Sequence, residues 1–365
     1  MSLKIAISKE ISKKNRVIRR LALVCTFFCL SPLAQAGDVS AVPPLAPAGD
    51  NGYASAALGN GILYGTSLDG QKPMRWRAAE IRFGPGVDLF GLGAGGHLPA
   101  DSSTRLDYVY YNEGHPDNNH RDGYALQMAY RQKLHPGFDL ELAAGPYFSM
   151  NRTTVNGTEK DDARLGGLLS VALLARLDQY SPGLSIRLAY NHVLIPGAPS
   201  SDALLLGVGK ELGATHVSAA DAGSNHGLWL AALGGFAQTN QSGPGKRLIY
   251  ALEAKKYYGP WAASVAAIEE GDDGVRVNRH GIAAQGWYVQ PIAEHWNISA
   301  GAGPYLAANQ RESGDWKVNG LISLQLGRDF GNNVRGFASF GRAVTFRNKN
   351  DADLMTIGVM QRFDL

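Results

Sequence analysis

Two stretches 158 residues apart repeat one another: Gly123 to Tyr130 (GYALQMAY) and Gly281 to Tyr288 (GIAAQGWY). The same offset of 158 carries Ala144-Gly145-Pro146-Tyr147 onto Ala302-Gly303-Pro304-Tyr305. Further matches follow at nearly the same spacing. Arg164 to Ser170 answers Lys317 to Ser323, Asp202 to Val208 answers Asp353 to Val359, Asn112 to Gly114 answers Glu269 to Gly271, and Ala79-Glu80 answers Leu252-Glu253. A chain built this way folds as two like units or as one unit with internal symmetry. The copies run from Gly52 to Leu212 and from His226 to Leu365, joined by a polar linker from Gly213 to Asn225.

Within each copy, short alternating runs are separated by turn residues, which predicts strands. The first copy divides at 53-66, 74-83, 106-114, 122-134, 138-149, 164-177, 184-194 and 202-212. The second divides at 227-238, 247-258, 261-270, 280-291, 296-308, 316-330, 334-345 and 352-365. Along 164-177 one face reads Leu165, Leu169, Val171, Leu173 and Leu177, and the other Gly166, Ser170, Ala172 and Arg176. The expected fold class is therefore all-β.

Residues 1-36 read as a secretory signal peptide. They hold seven basic residues, one acid, an apolar run from Leu21 to Leu33 and the small-residue site Ala34-Gln35-Ala36, with cleavage expected after Ala36. The 13-residue apolar run is short of the roughly 20 residues a spanning helix needs. Both cysteines, Cys25 and Cys29, leave with it, so the remaining 365 − 36 = 329 residues have no disulfide, thiolate metal site or thiol nucleophile. Their charge is 28 basic against 31 acidic (35 − 7 and 32 − 1), which lacks the basic footprint of a nucleic-acid binder. Residues 37-51 form a Pro/Ala-rich segment without periodicity, expected to be a flexible periplasmic tail.

A secreted, cysteine-free, glycine-rich chain of sixteen strands with about 20 residues per strand and connection fits a transmembrane antiparallel β-barrel. Tyr108, Tyr110, Tyr124, Tyr130, Tyr190 and Tyr288 at strand ends suit interfacial girdles. Met355, Ile357, Val359, Phe363 and Leu365 alternate to the C-terminus and resemble the assembly signal of bacterial outer-membrane barrels. Even strand number puts both termini in the periplasm, with tight turns there (His135-Pro136-Gly137, Gly259-Pro260) and polar loops such as Asn151 to Asp162 outside. The segment from Gly84 to Arg105 is a long insertion of the first copy only. Its Gly91 to Gly96 run satisfies G-x-G-x-x-G, but with no βαβ unit it reads as loop. Two closures are open, one sixteen-stranded barrel or two tandem eight-stranded barrels. The small polar inward residues of the second copy (Ser299, Gly301, Gly303, Asn319, Ser323, Gln325) favour the single wide pore, because a small barrel needs bulk to fill it.

Glu80, Glu113, Arg121, Gln127, Glu141 and Arg187, with Glu253, Glu270, Arg279, Gln285 and Arg335, are expected to line the lumen. In a wide barrel such residues set selectivity, and in a narrow one they must pair. The polar run from Tyr111 to Gly123 carries Glu113, His115, His120, Arg121 and Asp122; it reads as a solvated loop closed by a Glu-Arg pair, or as a sugar- or cation-binding rim with acid/base work by Glu113 and His115. His115 and His120 lack a third ligand, so no metal or other cofactor is expected.

The run Arg187 to His192 and the strand after it resemble the end of the lipid A deacylase barrels of the outer membrane. Those are eight-stranded enzymes with a His-x-Ser-Asn motif on the lipid-facing side. The matching residues here are His192, Val193, Leu194 and Ile195, so the family's serine and asparagine are replaced, and the second copy has Arg342 in place of the histidine. The resemblance implies barrel architecture, with His192 as its one candidate catalytic residue. The leading expectation is an outer-membrane barrel that passes or binds polar solutes or polysaccharide, with no reaction implied. The alternatives are an envelope lipid- or glycan-modifying hydrolase and a structural barrel that meets a periplasmic partner protein. Outer-membrane lipids are its expected surroundings.

Overall fold

The structure, a computed structural model, describes residues 51-64, 74-86, 102-113, 119-155, 158-214, 227-240, 245-293, 295-331, 333-347 and 349-363. The signal peptide, the tail before residue 51, the Gly91 to Gly96 run, His115, most of the linker and Leu365 lie outside them.

Sixteen strands follow in order: β1 (Asn51–Leu63), β2 (Met74–Gly84), β3 (Ser102–Asn112), β4 (Asn119–His135), β5 (Phe138–Val155), β6 (Thr158–Arg176), β7 (Leu184–Leu194), β8 (Ser201–Ala214), β9 (Leu228–Thr239), β10 (Arg247–Tyr258), β11 (Trp261–Asp272), β12 (Asn278–Ala293), β13 (Trp296–Asn309), β14 (Trp316–Asp329), β15 (Val334–Val344) and β16 (Ala352–Phe363). All pairings are antiparallel between chain neighbours, as short turns dictate. Closure falls twice: β1 pairs with β8 from Asn51↔Ala214 to Leu63↔Ser201, and β16 pairs with β9 from Ala352↔Thr239 to Phe363↔Leu228. The molecule is two closed eight-stranded barrels in tandem.

The single wide pore is thereby corrected, and glycine explains the misreading. Small inward residues of the second copy are sockets for large neighbours. A Cβ added to Gly301 would stand 2.5 Å from the Trp287 ring, and one on Gly358 would stand 2.5 Å from the Phe337 ring. Bulk that seemed missing from β13 is supplied from β12 and β15. A second backbone requirement marks the repeated Ala-Gly-Pro-Tyr: a Cβ on Gly145 or on Gly303 would lie 1.9 Å from the carbonyl of Leu126 or Ala284 on the adjacent strand. That close approach sets Tyr147 and Tyr305, two residues on, fully into the lumens.

Alternation assigns the faces. Along β7, Ser185, Arg187, Ala189, Asn191 and Val193 are buried in the lumen while Ile186, Leu188, Tyr190 and Leu194 are exposed outside. On β16, Met355, Ile357 and Val359 are exposed in the same way.

Two local differences from the sequence reading stand out. The expected loop from Asn151 to Asp162 is mostly strand, with β5 and β6 paired from Asn151↔Asp162 out to Val155↔Thr158, nine residues past the last β6–β7 pair at Gly167↔Leu194. The signal was there: Asn156-Gly157 between β-branched residues is a two-residue hairpin sequence. Four of the six expected girdle tyrosines instead meet the other barrel. Tyr108, Tyr110, Tyr124 and Tyr288 pack in two clusters that join the outer faces of β8 and β1 to β5 to those of β12 to β15, with Phe83, Met150, Ile298 and Val344 among their members. Tyr110 stands 6.2 Å from Phe340, and Arg342 reaches Asp122 across the same seam at 3.6 Å.

Candidate functional site: two lumens of one origin

The residues expected to line a lumen are all buried inside one barrel or the other, Glu253 and Gln285 the most accessible at 7%. In the first barrel every strand sends a side chain to one network. Arg82 on β2 donates to Asp107 at 3.0 Å and to Gln127 at 2.6 Å, and bonds Glu80 on its own strand at 3.2 Å. Glu141 on β5 accepts from Arg105 at 2.6 Å, Arg131 at 2.8 Å and Arg187 at 2.9 Å. Asn191 on β7 donates to Glu80 at 2.7 Å, and Arg131 reaches Glu211 on β8 at 3.0 Å. Ser170 on β6 accepts from Gln127, and Tyr53 on β1 lies between the guanidiniums of Arg105 and Arg131, 4.6 and 4.3 Å from its ring. Four guanidiniums thus meet four carboxylates. Removed from water, such charges persist only because each is paired and bonded. Sequence reasoning missed Arg82, Arg105, Asp107 and Arg131. Arg105 was assigned to the insertion, whereas β3 begins at Ser102.

The second barrel places different chemistry at the same height. Its mid-lumen charges are Glu253 and Lys255, 3.4 Å apart. The Lys255 ammonium also donates to Gln325 at 3.0 Å and sits 3.7 Å above the Trp287 ring. Gln285 donates to Ser323 at 3.0 Å and Trp287 to Ser264 at 2.8 Å. Beneath lies a packed apolar layer that includes Trp229, Tyr257, Trp287, Phe337 and Met360. Above it is a cavity of about 50 Å³, walled by Ile249, Ile268, Leu321 and Leu354 on one side and Glu253, Gln285, Ser323, Gln325 and Thr356 on the other. Most of the wall is apolar, and its polar side chains are what gives a water its partners there.

At the end opposite the chain termini the two copies agree. Glu113 is bound by Arg121, which also donates to the Pro199 carbonyl at 2.8 Å, and by the hydroxyl of Ser201. Glu270 is bound by Arg279 at 2.6 Å and Arg247 at 2.7 Å, and Arg279 donates to the Asn350 carbonyl at 3.2 Å. In each barrel the pair ties the β3–β4 or β11–β12 hairpin to the turn before the closing strand. This geometry is structural and leaves Glu113 no free edge for acid/base work. Arg335, near the terminus end, is held by Asp329 and by the Tyr257 hydroxyl at 2.8 Å.

Beyond the strands, Asp273 closes the β11–β12 turn. Its carboxylate accepts from the backbone N–H groups of Val275, Arg276 and Val277 at 2.7 to 2.9 Å, and from Thr239 at 2.9 Å. Partial burial pushes its pKa up, but those hydrogen bonds outweigh it and hold the carboxyl below the usual range.

His192 points outward, not into the lumen. Its Nδ1 lies 2.5 Å from Asp202, its cross-strand neighbour on β8, and the Tyr190 hydroxyl donates to the same carboxylate at 2.6 Å. Asp202 went unnoticed as a partner because its pairing depends on strand register. No group of His, Cys, Asp and Glu suited to a metal ion occurs among the described residues.

No protein-family profile and no curated protein sequence matches the chain. Among solved structures, it is similar to Neisserial surface protein A (NspA) at 12% identity, covering 44% of this chain and 97% of that one with a TM-score of 0.32. It is similar to Ail, the attachment invasion locus protein of Yersinia pestis, at 10% identity, covering 45% and 99% with a TM-score of 0.32. Over a longer span it is similar to the Ralstonia pickettii toluene transporter TbuX at 9% identity, covering 87% and 92% with a TM-score of 0.24. The closures of β1 on β8 and β16 on β9 define the class by themselves: a tandem pair of small antiparallel barrels, apolar outside and polar within.

Proposed function

We propose that the protein is an integral outer-membrane protein with both barrels inserted, their termini periplasmic, and that the second barrel is its path for water and small polar solutes. Insertion is supported by polarity that is inverted relative to a soluble protein. Leu165, Leu206, Leu248, Leu252, Val318 and Ile357 are each at least 60% exposed, while arginines and glutamates fill the interior. Strands of 11 residues or more meet or exceed the roughly 9 to 11 that a tilted crossing needs.

The observation that carries the passage reading is the cavity of the second barrel, which lies beside a single mid-lumen ion pair, where the first barrel has an eight-charge lattice. Passage there requires Lys255 and the aromatic layer below it to move. Polysaccharide is a poor fit as cargo, since eight strands leave an interior that side chains fill. Contact with glycans is confined to the rim, where β5 and β6 project past β7. A hydrolytic role for His192 gains an orienting carboxylate in Asp202, but the neighbouring hydroxyl of Ser201 points into the lumen onto Glu113.

The test is planar-bilayer conductance of the refolded mature chain. Small ionic currents that Trp287→Ala enlarges, and that oligosaccharides leave unblocked, support this reading. Silence of both wild type and Trp287→Ala in verified folded protein overturns passage. Failure to float with lipid vesicles overturns insertion.

A further inference from the structure

The duplication places a cation opposite an aspartate on the outer face of β7–β8 and again on β15–β16. His192 pairs across the ladder with Asp202, and Arg342 with Asp353. In the second barrel the cation of this pair is covered by the first, while Asp353 keeps 27% of its side-chain surface open. Arg342 is 1% exposed, holds Asp353 at 3.0 Å and takes a second carboxylate, Asp122, at 3.6 Å from the covering surface. Among the described residues, none of the second barrel pairs with His192 or Asp202. His192 and Asp202 keep 28% and 21% of their side-chain surface open. Around them the outer face is apolar: Leu169, Leu188, Leu194 and Leu204 are all exposed. An ionisable pair on a lipid-facing surface is costly to keep and is a functional candidate by default.

Three donors converge on Asp202, namely Nδ1 of His192 and the hydroxyls of Tyr190 and Tyr64. With Nδ1 engaged by Asp202, Nε2 is the ring nitrogen left for a further partner. The titratable groups around His192 are Asp202 and the two tyrosines, Tyr190 and Tyr64, that are turned onto its carboxylate. His192 lies near the end of β7 away from the chain termini, at the level of the outer-leaflet headgroups in the inserted orientation.

We propose that His192 and Asp202 form a binding site for the phosphate of an outer-leaflet lipid, the phosphate taking the place that Asp122 takes against Arg342. The imidazolium donates from Nε2 to a phosphate oxygen, and the exposed leucines take the acyl chains. The proposal rests on membrane insertion, not on passage through the second barrel.

The test is retention of phosphatidic acid by the full mature chain reconstituted in phosphatidylcholine nanodiscs doped with that lipid, read by native mass spectrometry after detergent extraction. Wild type is expected to keep phosphatidic acid in preference to phosphatidylcholine. His192→Gln is expected to lose this excess and His192→Arg to keep it. Equal retention by wild type and His192→Gln, or a wild-type signal that excess inorganic phosphate removes, overturns the lipid site. A chain that does not enter nanodiscs fails at insertion, a distinct result.

Discussion

The two barrels descend from one sequence unit and share strand order, the Glu-Arg clamp at the loop end and the Gly-Pro-Tyr of β5 and β13, yet they solved the problem of a narrow interior differently. The first fills its lumen with four arginines and four carboxylates contributed around the ring. The second uses an aromatic layer, neutral amides and hydroxyls, one mid-lumen Lys-Glu pair, an Arg335–Asp329 pair toward the terminus end and some empty space. A lumen of interlocked charges tolerates the loss of no member. A lumen of rings and amides tolerates movement.

The largest expected effect breaks the first barrel. Glu141→Ala leaves three buried guanidiniums without their common acceptor and is expected to cost about 3–5 kcal/mol, seen as a lower melting temperature in detergent. Glu253→Ala in the second barrel should lose markedly less, because Lys255 keeps Gln325 and the Trp287 ring. Equal losses from the two substitutions would dissolve the contrast.

Next in size is Gly301→Val, which drives a methyl group into the Trp287 ring and should cost about 1–3 kcal/mol by overpacking. Pairing it with Trp287→Ala should recover part of the loss in a double-mutant cycle. Additive losses would show that the glycine is not the socket of that ring.

A smaller effect is expected at the rim. Since the folded pKa of Asp273 is depressed, its contribution is full above the unfolded value of about 3.9 and is lost as pH falls through the lower folded value. Amide exchange at Val275 to Val277 should accelerate in that acid window, and Asp273→Ala should accelerate it at neutral pH. Unchanged exchange in both would remove the carboxylate from the turn. Smallest is His192→Ala, expected to shift stability by less than about 0.5 kcal/mol, as for an outward residue away from the packed interior. A large drop would mean that the His192–Asp202 pair holds β7 to β8.

Much of this was legible beforehand, for reasons that are local. Alternation located the strands, so that 184-194 and 247-258 coincide with β7 and β10, because a side chain's face depends only on its parity. Parity also turned Glu80, Gln127 and Arg187 inward. The charged partners in β3 were less legible, since Arg105 and Asp107 adjoin a long glycine-rich stretch that hides where the strand begins. His192 was visible as a residue, but its carboxylate depended on the pairing of β7 with β8.

What the sequence determined by itself is the repeated unit, the number of strands, their alternating faces and the clamp residues that recur in both copies. These follow from periodicity and repetition along the chain. Only the tertiary structure decided how the ring closes. Whether β8 turns back to β1 or runs on to β9 is a choice between hydrogen-bond ladders of similar local sequence, settled by what fills the space inside. Arginine networks and aromatic rings seated over glycines fill two small lumens, and such complementarity exists only between residues that are distant in sequence.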